Sequence, residues 1–296
     1  MTYILFNPLA NGGNGLYGID EVQAQFPGAM TRDITALDAN AFLTGLPAED
    51  RVILCGGDGT IHHLVNDLAS PAELQVPVYI WKFGTGNDFW RDVPDKKEKE
   101  MVLLNDYIRN LPVAHVNGED IRFLNNCSFG IDGRVCEMGE EKKREKGGKV
   151  SYAAMALKAI GYDYKCANAR VTVDGVTREY EKVWLATAMN GKFFGGGMKL
   201  TPGQNRSGDT FCCIVWHKTP RMLALPLFIS VFPGLHVHLK SMFDIRYGTE
   251  IEVEFDRPCA VNLDGEVISG VTRYTAGKAP ALRPESVFCK GVSHEA

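Results

Sequence analysis

The chain has 296 residues, of which 45% are apolar and 23% charged, an ordinary globular balance that excludes a fibrous or disordered polypeptide. Its formal net charge of -4 argues against a nucleic-acid binder working by bulk electrostatics. The length suggests one large or two ordinary domains.

Read in chain order, the first third alternates strands, glycine loops and helices. Residues 3–6 form a short apolar run ended by Asn7-Pro8, and residues 51–55 form a second. Ile61, Leu64, Val65 and Leu68 then fall at helical spacing, and residues 76–83 make a third strand. This rotation predicts an α/β sandwich with a mostly parallel sheet. Ligands of such sheets lie beyond the carboxyl ends of the strands, where all three glycine loops fall.

After about residue 112 the pattern turns β-rich, with strands expected over 122–129, 169–173, 183–189, 211–216, 250–255 and 261–263. Asp174-Gly175 is a hairpin turn signal. A helix is expected over 150–160, and the charge run 140–149 reads as a solvated loop. The apolar stretch 222–235 is interrupted by prolines and is too short to span a bilayer. It reads as a buried core segment, with a lipid-entry flap as the alternative. None of the eight cysteines has Cys-x-x-Cys spacing, so they are expected to be reduced thiols of an intracellular protein. No signal peptide is read at the amino terminus.

The first loop, residues 7–15, contains Gly13 and Gly15, which with Gly18 satisfy Gly-x-Gly-x-x-Gly. That match alone is weak, and a dinucleotide site using Asp33 or Asp38 is a minor alternative. The second loop, Gly56-Gly57-Asp58-Gly59-Thr60, is more specific. Three glycines let backbone N–H groups approach a phosphate, and the helix start adds a positive dipole. Asp58 within that nest implies magnesium or a hydroxyl partner, unless it merely caps the helix. The third loop, Gly84-Thr85-Gly86-Asn87-Asp88, repeats the device on the next strand. No P-loop or protein-kinase signature occurs. Near the end, Asp264-Gly265-Glu266 puts two carboxylates around a turn, where both acids are expected to converge on one point as a metal site or general base, or to be an ordinary exposed turn. His236 and His238 have no evident third ligand for zinc.

Together and in this order, the Asn7-Pro8 opening, the 56–60 and 84–89 loops, Phe129-Gly130-Ile131-Asp132-Gly133, the triple glycine 195–197 with Pro202, and Asp264-Gly265-Glu266 resemble the diacylglycerol kinase catalytic family. The bacterial soluble lipid kinases are the nearer resemblance. It implies a three-layer α/β nucleotide domain over residues 1–112 and a β-sandwich over 113–280. The active site would lie in the cleft between them, and a tail, 281–296, would return to the first domain. It also implies ATP and Mg2+ as cofactors and a lipid acceptor at a membrane surface. By that resemblance Asn7, Asn11, Gly13, Thr35, Gly56, Gly57, Asp58, Gly59, Thr60, His63 and Thr85 would hold the nucleotide. Glu266 or Asp264 would be the catalytic base, with Asp58 a third candidate. Asp209, with the carbonyls of Arg206 and Phe211, would bind a structural magnesium.

The expected reaction is phosphoryl transfer to a lipid hydroxyl, with diacylglycerol leading and phosphatidic acid as product. The alternatives are an NAD kinase and a non-catalytic nucleotide-binding or membrane-sensing protein. A cytoplasmic protein, peripheral on the membrane, is expected, with a sheet edge open to homodimer formation and no nucleic-acid partner.

Overall fold

Two sheets divide the chain in the computed structural model, which describes residues 1–10, 15, 18–83, 87–93, 101–146 and 151–278. The first sheet joins β1 (Thr2–Phe6), β2 (Met30–Asp33), β3 (Arg51–Gly56), β4 (Val78–Lys82) and β5 (Met101–Leu103) in the order β2-β1-β3-β4-β5. The first four strands pair in parallel, and β5 is antiparallel to β4. Parallel neighbours need crossovers, and here α1 (Ile19–Gln25), α2 (Ala39–Thr44) and α3 (Asp58–Asp67) lie between strands, while α4 (Asp88–Asp92) follows β4 and α5 (Asn105–Ile108) follows β5. Successive side chains of β3 point to opposite faces, so both faces can be covered. Val52 and Leu54 pack with Leu43 of α2 and Ile61, Leu64 and Val65 of α3. Ile53 and Cys55 pack instead with Ile19 and Val22 of α1. That is a helix–sheet–helix sandwich.

The second sheet has ten strands, all paired antiparallel. Its members are β6 (Pro112–Val116), β7 (Glu119–Arg122), β8 (Asn126–Gly130), β9 (Ala167–Val173), β10 (Val176–Val183), β11 (Leu185–Met189), β12 (Phe211–Trp216), β13 (Phe243–Gly248), β14 (Glu250–Leu263) and β15 (Glu266–Lys278). The long strand β14 organises it. Its register shifts around Cys259, so its first half pairs with β9 and its last residues with β8. The sheet therefore wraps around one core, in which Phe129 stacks on Phe255 at 4.7 Å. A second apolar layer on its other side lies beneath α6 (Ile131–Lys146), α7 (Tyr152–Lys158), the π-turn Ala159–Asp163 and α8 (Arg221–Val231). Trp184, Trp216 and Phe243 form a continuous stack there, with centroids 5.4 and 5.5 Å apart and rings within 21° of parallel. Thr219 satisfies both indole N–H groups, through its carbonyl for Trp184 and its hydroxyl for Trp216.

The Asp174-Gly175 turn joins β9 to β10 with φ of 46° and 77°, the left-handed pair of a two-residue hairpin. The seven described cysteines are free thiols, four of them buried, and Cys289 lies outside the described residues.

Other expectations change. The charge run is helical rather than a loop up to Lys146, with residues 147–150 outside the description. Glu, Lys and Arg are good helix formers. Arg134 also pins α6 through Glu137, Glu141 and Asp163, at 2.8–2.9 Å. Residues 222–235 are not core: α8 leaves most of its side chains in the open. The tail 281–296 lies outside the described residues, and β6, at the expected domain boundary, pairs with β15 and β7 of the second sheet.

Candidate functional site: a glycine-lined cavity

Beyond the carboxyl ends of β1 and β3 lies an open cavity of 540 Å³. Seven residues singled out above line it: Asn7, Thr35, Gly57, Asp58, Gly59, Thr60 and His63. Its volume suits a small-molecule ligand. Asn7 turns inward on itself, its Oδ1 accepting the Leu9 N–H at 2.9 Å. Asp33 holds Thr35 through both N–H and hydroxyl, at 2.8 and 2.7 Å. Gly56 sits behind the loop rather than in the lining. A Cβ there would lie 2.5 Å from the Thr60 side chain, so glycine is what allows α3 to start against β3. At Gly59 a Cβ would meet nothing within 4 Å, so that bare backbone leaves the cavity room instead. Asn11, Gly13 and Thr85 lie outside the described residues.

Asp58 is the first residue of α3, yet it does not cap that helix. Its carboxylate accepts the N–H groups of Asp88 at 2.7 Å and Phe89 at 3.2 Å, the opening of α4 (Asp88–Asp92). It thereby welds the second glycine loop to the end of the third. Burial, then the facing Asp88 charge, push Asp58 up to about 6, against the lowering effect of those two N–H bonds. Asp88 is also raised, chiefly by burial, though Gly196 N–H and Arg91 oppose it. The Gly196 N–H reaches Asp88 Oδ2 at 2.8 Å, so the triple glycine of the second domain closes on the first. Gly196 and Gly197 have φ of 87° and 117°, a backbone that side chains rarely tolerate.

The Asp264-Gly265-Glu266 turn between β14 and β15 separates its two acids rather than bringing them together. Asp264 has a fully buried side chain. It accepts backbone N–H bonds from Leu124, Asn125 and Asn126, the latter two at 2.8 and 3.0 Å, and faces His62 Nδ1 at 3.2 Å. Glu266 points the other way, into solvent, with Oε1 3.6 Å from Nε2 of the cavity residue His63. The carboxylate with room to meet a substrate is thus Glu266. Asp264 is committed to holding the chain.

Three groups, His62, Asp92 and Asn262, escaped the reading of the sequence, and Asp132 of the 129–133 motif was given no role there. His62 follows Asp58 by four residues, and Asp92 follows Asp88 by four, so both share a helix face with a residue already singled out. Asp132 lies half-buried under the turn. Burial pushes it up to about 6 although Asn262 Nδ2 donates to it at 2.7 Å. Asn262 Oδ1 in turn accepts Gly265 N–H at 2.8 Å and fixes the turn.

Arg206 was expected to lend a carbonyl to a metal, but its side chain carries the clearer role. It is buried and donates to Asp92 at 3.0 Å, to the Leu124 carbonyl at 2.6 Å and to Asn125 Oδ1 at 2.7 Å, while stacking on Phe89. The first domain supplies Asp92 and Phe89, and the segment before β8 supplies the rest. Asp209 is exposed, and Phe211 begins β12. Beside Asp209, the buried Lys278 donates to the Gly208 carbonyl at 2.6 Å. An ammonium therefore already serves the Gly208 carbonyl, and its charge beside Asp209 competes with the structural magnesium expected there. Among the described residues no cluster of three His, Cys, Asp or Glu side chains is arranged to hold a metal. Asp58 lies beside the Asp88 charge, which helps to raise it, and that pair of acids is the better candidate for a cation.

A helix–sheet–helix domain with a glycine-lined cavity, bonded to loops of an antiparallel β domain through His62–Asp264 and Asp88–Gly196, defines a two-domain protein. The profile of the diacylglycerol kinase catalytic domain matches residues 1–116, and that of the YegS C-terminal NAD kinase beta sandwich-like domain matches residues 125–285. The chain belongs to this family of diacylglycerol kinase-like lipid kinases. It is 24% identical to a Bacillus subtilis (strain 168) protein named "Putative lipid kinase YtlR", over 94% of this chain and 97% of that one. It is 25% identical to a diacylglycerol kinase of Mycobacterium tuberculosis (strain H37Rv), over 78% and 74%. A crystal structure of a Bacillus anthracis (strain Sterne) diacylglycerol kinase shares the fold, with a TM-score of 0.64 at 24% identity, covering 94% of this chain and 93% of that one.

Proposed function

We propose that this chain transfers the γ-phosphoryl group of ATP to the hydroxyl of a lipid, with diacylglycerol as acceptor and phosphatidic acid as product. The observation that carries the reading is the pairing of Glu266 with His63 at the cavity. It sets a solvent-accessible carboxylate beside the loop suited to phosphates.

In this reading the backbone of Gly57, Gly59 and Thr60 cradles phosphate oxygens at the start of α3. Thr35 and Asn7 offer polar groups to the rest of the nucleotide. Magnesium carried by the nucleotide would neutralise phosphate charge beside Asp58 and Asp88. The acceptor oxygen attacks the γ-phosphorus, the bond to the β-phosphate oxygen breaks, and Glu266 Oε takes the hydroxyl proton. His63 orients Glu266. Asp264 touches neither reactant and acts by holding His62 and the 124–126 backbone.

The test is incubation with γ-labelled ATP, magnesium and diacylglycerol in mixed micelles, with NAD in a parallel tube. Label in the organic phase, lost in Glu266→Gln, supports the reading. Label on NAD replaces it with the dinucleotide alternative, and no label on any acceptor sinks the kinase assignment.

A further inference from the structure

The helix α8 is apolar on all sides. From Met222 to Val231 its only polar side chain is Ser230. A helix of that composition is ordinarily enclosed by protein. Here Ala224 and Val231 are buried and Leu227 and Phe228 pack partly buried beside them, one stripe that leaves the rest of the helix uncovered. Met222 is 92% exposed and Ile229 60%, and Leu223 and Leu225 are also exposed. The exposed face continues past the helix through Phe232, Leu235 and Leu239. It also extends sideways. Arg221 donates to the carbonyls of Ile160 at 2.7 Å and Tyr164 at 2.5 Å, tying α8 to the π-turn. Leu157 and Tyr162 are exposed there as well, Tyr162 at 72%.

We propose that this face is a bilayer-docking surface, which seats the protein in the headgroup layer of an anionic membrane. The proposal deepens the lipid-kinase reading and rests on it for the nature of the partner. Charge points to the same occupant. Between Asp209 and Asp244 the sequence has no Asp or Glu, but it has Lys218, Arg221 and Lys240. Lys158 and Lys165 flank the adjoining turn. The nearby carboxylates Asp163 and Glu181 are engaged by Arg134 at 2.8 Å and Lys218 at 3.9 Å. An apolar face bordered by cations suits anionic lipid. A two-fold contact between copies would instead set those cations against each other. At 11 residues, or ~16 Å, α8 lies along an interface and cannot cross it.

The face is also continuous with the site. The turn Leu235–His238 sits on the 199–202 segment, with His236 Nε2 2.8 Å from the Leu200 carbonyl. A Cβ at Gly234 would meet Pro202 at 2.8 Å, so the contact is close. That segment follows directly from the triple glycine whose Gly196 N–H meets Asp88. A lipid taken up along α8 is thus delivered to the edge of the cleft that carries the phosphate loop.

The test is flotation of the full chain with vesicles of phosphatidylcholine alone and of equal parts phosphatidylcholine and phosphatidylglycerol. The wild type should float with the mixed vesicles. A variant combining Met222→Ser, Ile229→Ser and Phe232→Ser should lose at least ~10-fold in partitioning. A second variant, Lys158→Glu with Lys240→Glu, guards against misfolding of the first and should lose the preference for phosphatidylglycerol. Unchanged binding in both variants, or no binding by the wild type, overturns the proposal. So does a wild-type dimer in sedimentation velocity that the serine variant dissolves, because the face would then be a self-interface. Phosphorylation of a dispersed short-chain diacylglycerol is measured alongside. Turnover there with variant-insensitive flotation sinks the docking surface and leaves the kinase reading. Variant-sensitive flotation with no phosphorylation of any lipid does the reverse.

Discussion

His62 Nδ1 lies 3.2 Å from Asp264 Oδ2, so the helix that opens at the phosphate-type loop is bonded to the turn that presents Glu266. The two residues are 202 positions apart and come from different domains. Burial by itself would make His62 less basic. The Asp264 hydrogen bond and charge, with Glu266 behind them, outweigh it and raise the imidazole above its ordinary value.

That shift predicts a pH-dependent stability. A histidine raised in the folded state stabilises fully below its unfolded value of about 6.5 and loses the contribution as pH rises through the higher folded value. Urea unfolding of the wild type and His62→Asn from about pH 5 to about pH 9 checks it. The stability gap between them should narrow as pH rises through neutrality. A constant gap would refute the ionic character of the pair.

The two acids of the turn should separate cleanly by mutation. Asp264→Asn leaves backbone donors and His62 underserved in a buried place, and should cost about 2–4 kcal/mol of stability. Glu266→Gln changes an exposed side chain and should stay within ~0.5 kcal/mol. Its turnover should nevertheless fall by about 10²–10⁴. Thermal unfolding and the labelled-ATP assay together measure both halves.

Asp58, raised to about 6 by burial and Asp88, sets an acid limb. Phosphoryl transfer should rise with pH as Asp58 ionises around that value, and Asp58→Asn should abolish the limb along with most activity. The stability sign is opposite to that of an ion-paired acid. The folded value lies above the ordinary 3.8, so ionised Asp58 opposes folding at neutral pH. That cost disappears as pH falls below about 6. The kcat profile of wild type against variant is the measurement.

Arg206 clamps the domains, so Arg206→Met should cost about 3–5 kcal/mol by leaving Asp92 buried and underpaired. Arg206→Lys should not rescue it, because one ammonium cannot reproduce a fork that reaches three acceptors. Denaturant unfolding followed separately in the two domains should change from one transition to two.

The ammonium of Lys278 at the Gly208 carbonyl predicts indifference to metal. Chelation or addition of magnesium should move the unfolding midpoint of the nucleotide-free protein by less than about 1 °C, whereas Lys278→Met should lower it by several degrees, at roughly 2–4 °C per kcal/mol. Differential scanning calorimetry reads both.

Much of this architecture was legible because local chemistry and tertiary structure agree. Apolar runs ending in glycine loops became β1, β3 and β4, and Asp174-Gly175 became a hairpin. The lining Asn7, Thr35, Gly57, Asp58, Gly59, Thr60 and His63 came together because strand ends in a parallel sheet share one edge. Spacing did not disclose direction. Asp264 and Glu266 flank one glycine, yet only the pairing of β14 with β8 shows which faces inward. Nor did it disclose partners far along the chain, such as Arg206 with Asp92, 114 positions apart. For α8, composition pointed to the core, since an apolar run says nothing about which medium covers it.

The stacked Trp184 and Trp216 give the molecule an optical signature of its own. Two nearly parallel indoles 5.4 Å apart couple their electronic transitions, and the resulting circular-dichroism couplet depends on that one stack. Trp81 lies in the first domain, against Phe26 in a perpendicular contact, and contributes no such stack. The couplet therefore reports the integrity of the antiparallel β domain, and any event confined to the 56–60 glycine loop should leave it unaltered.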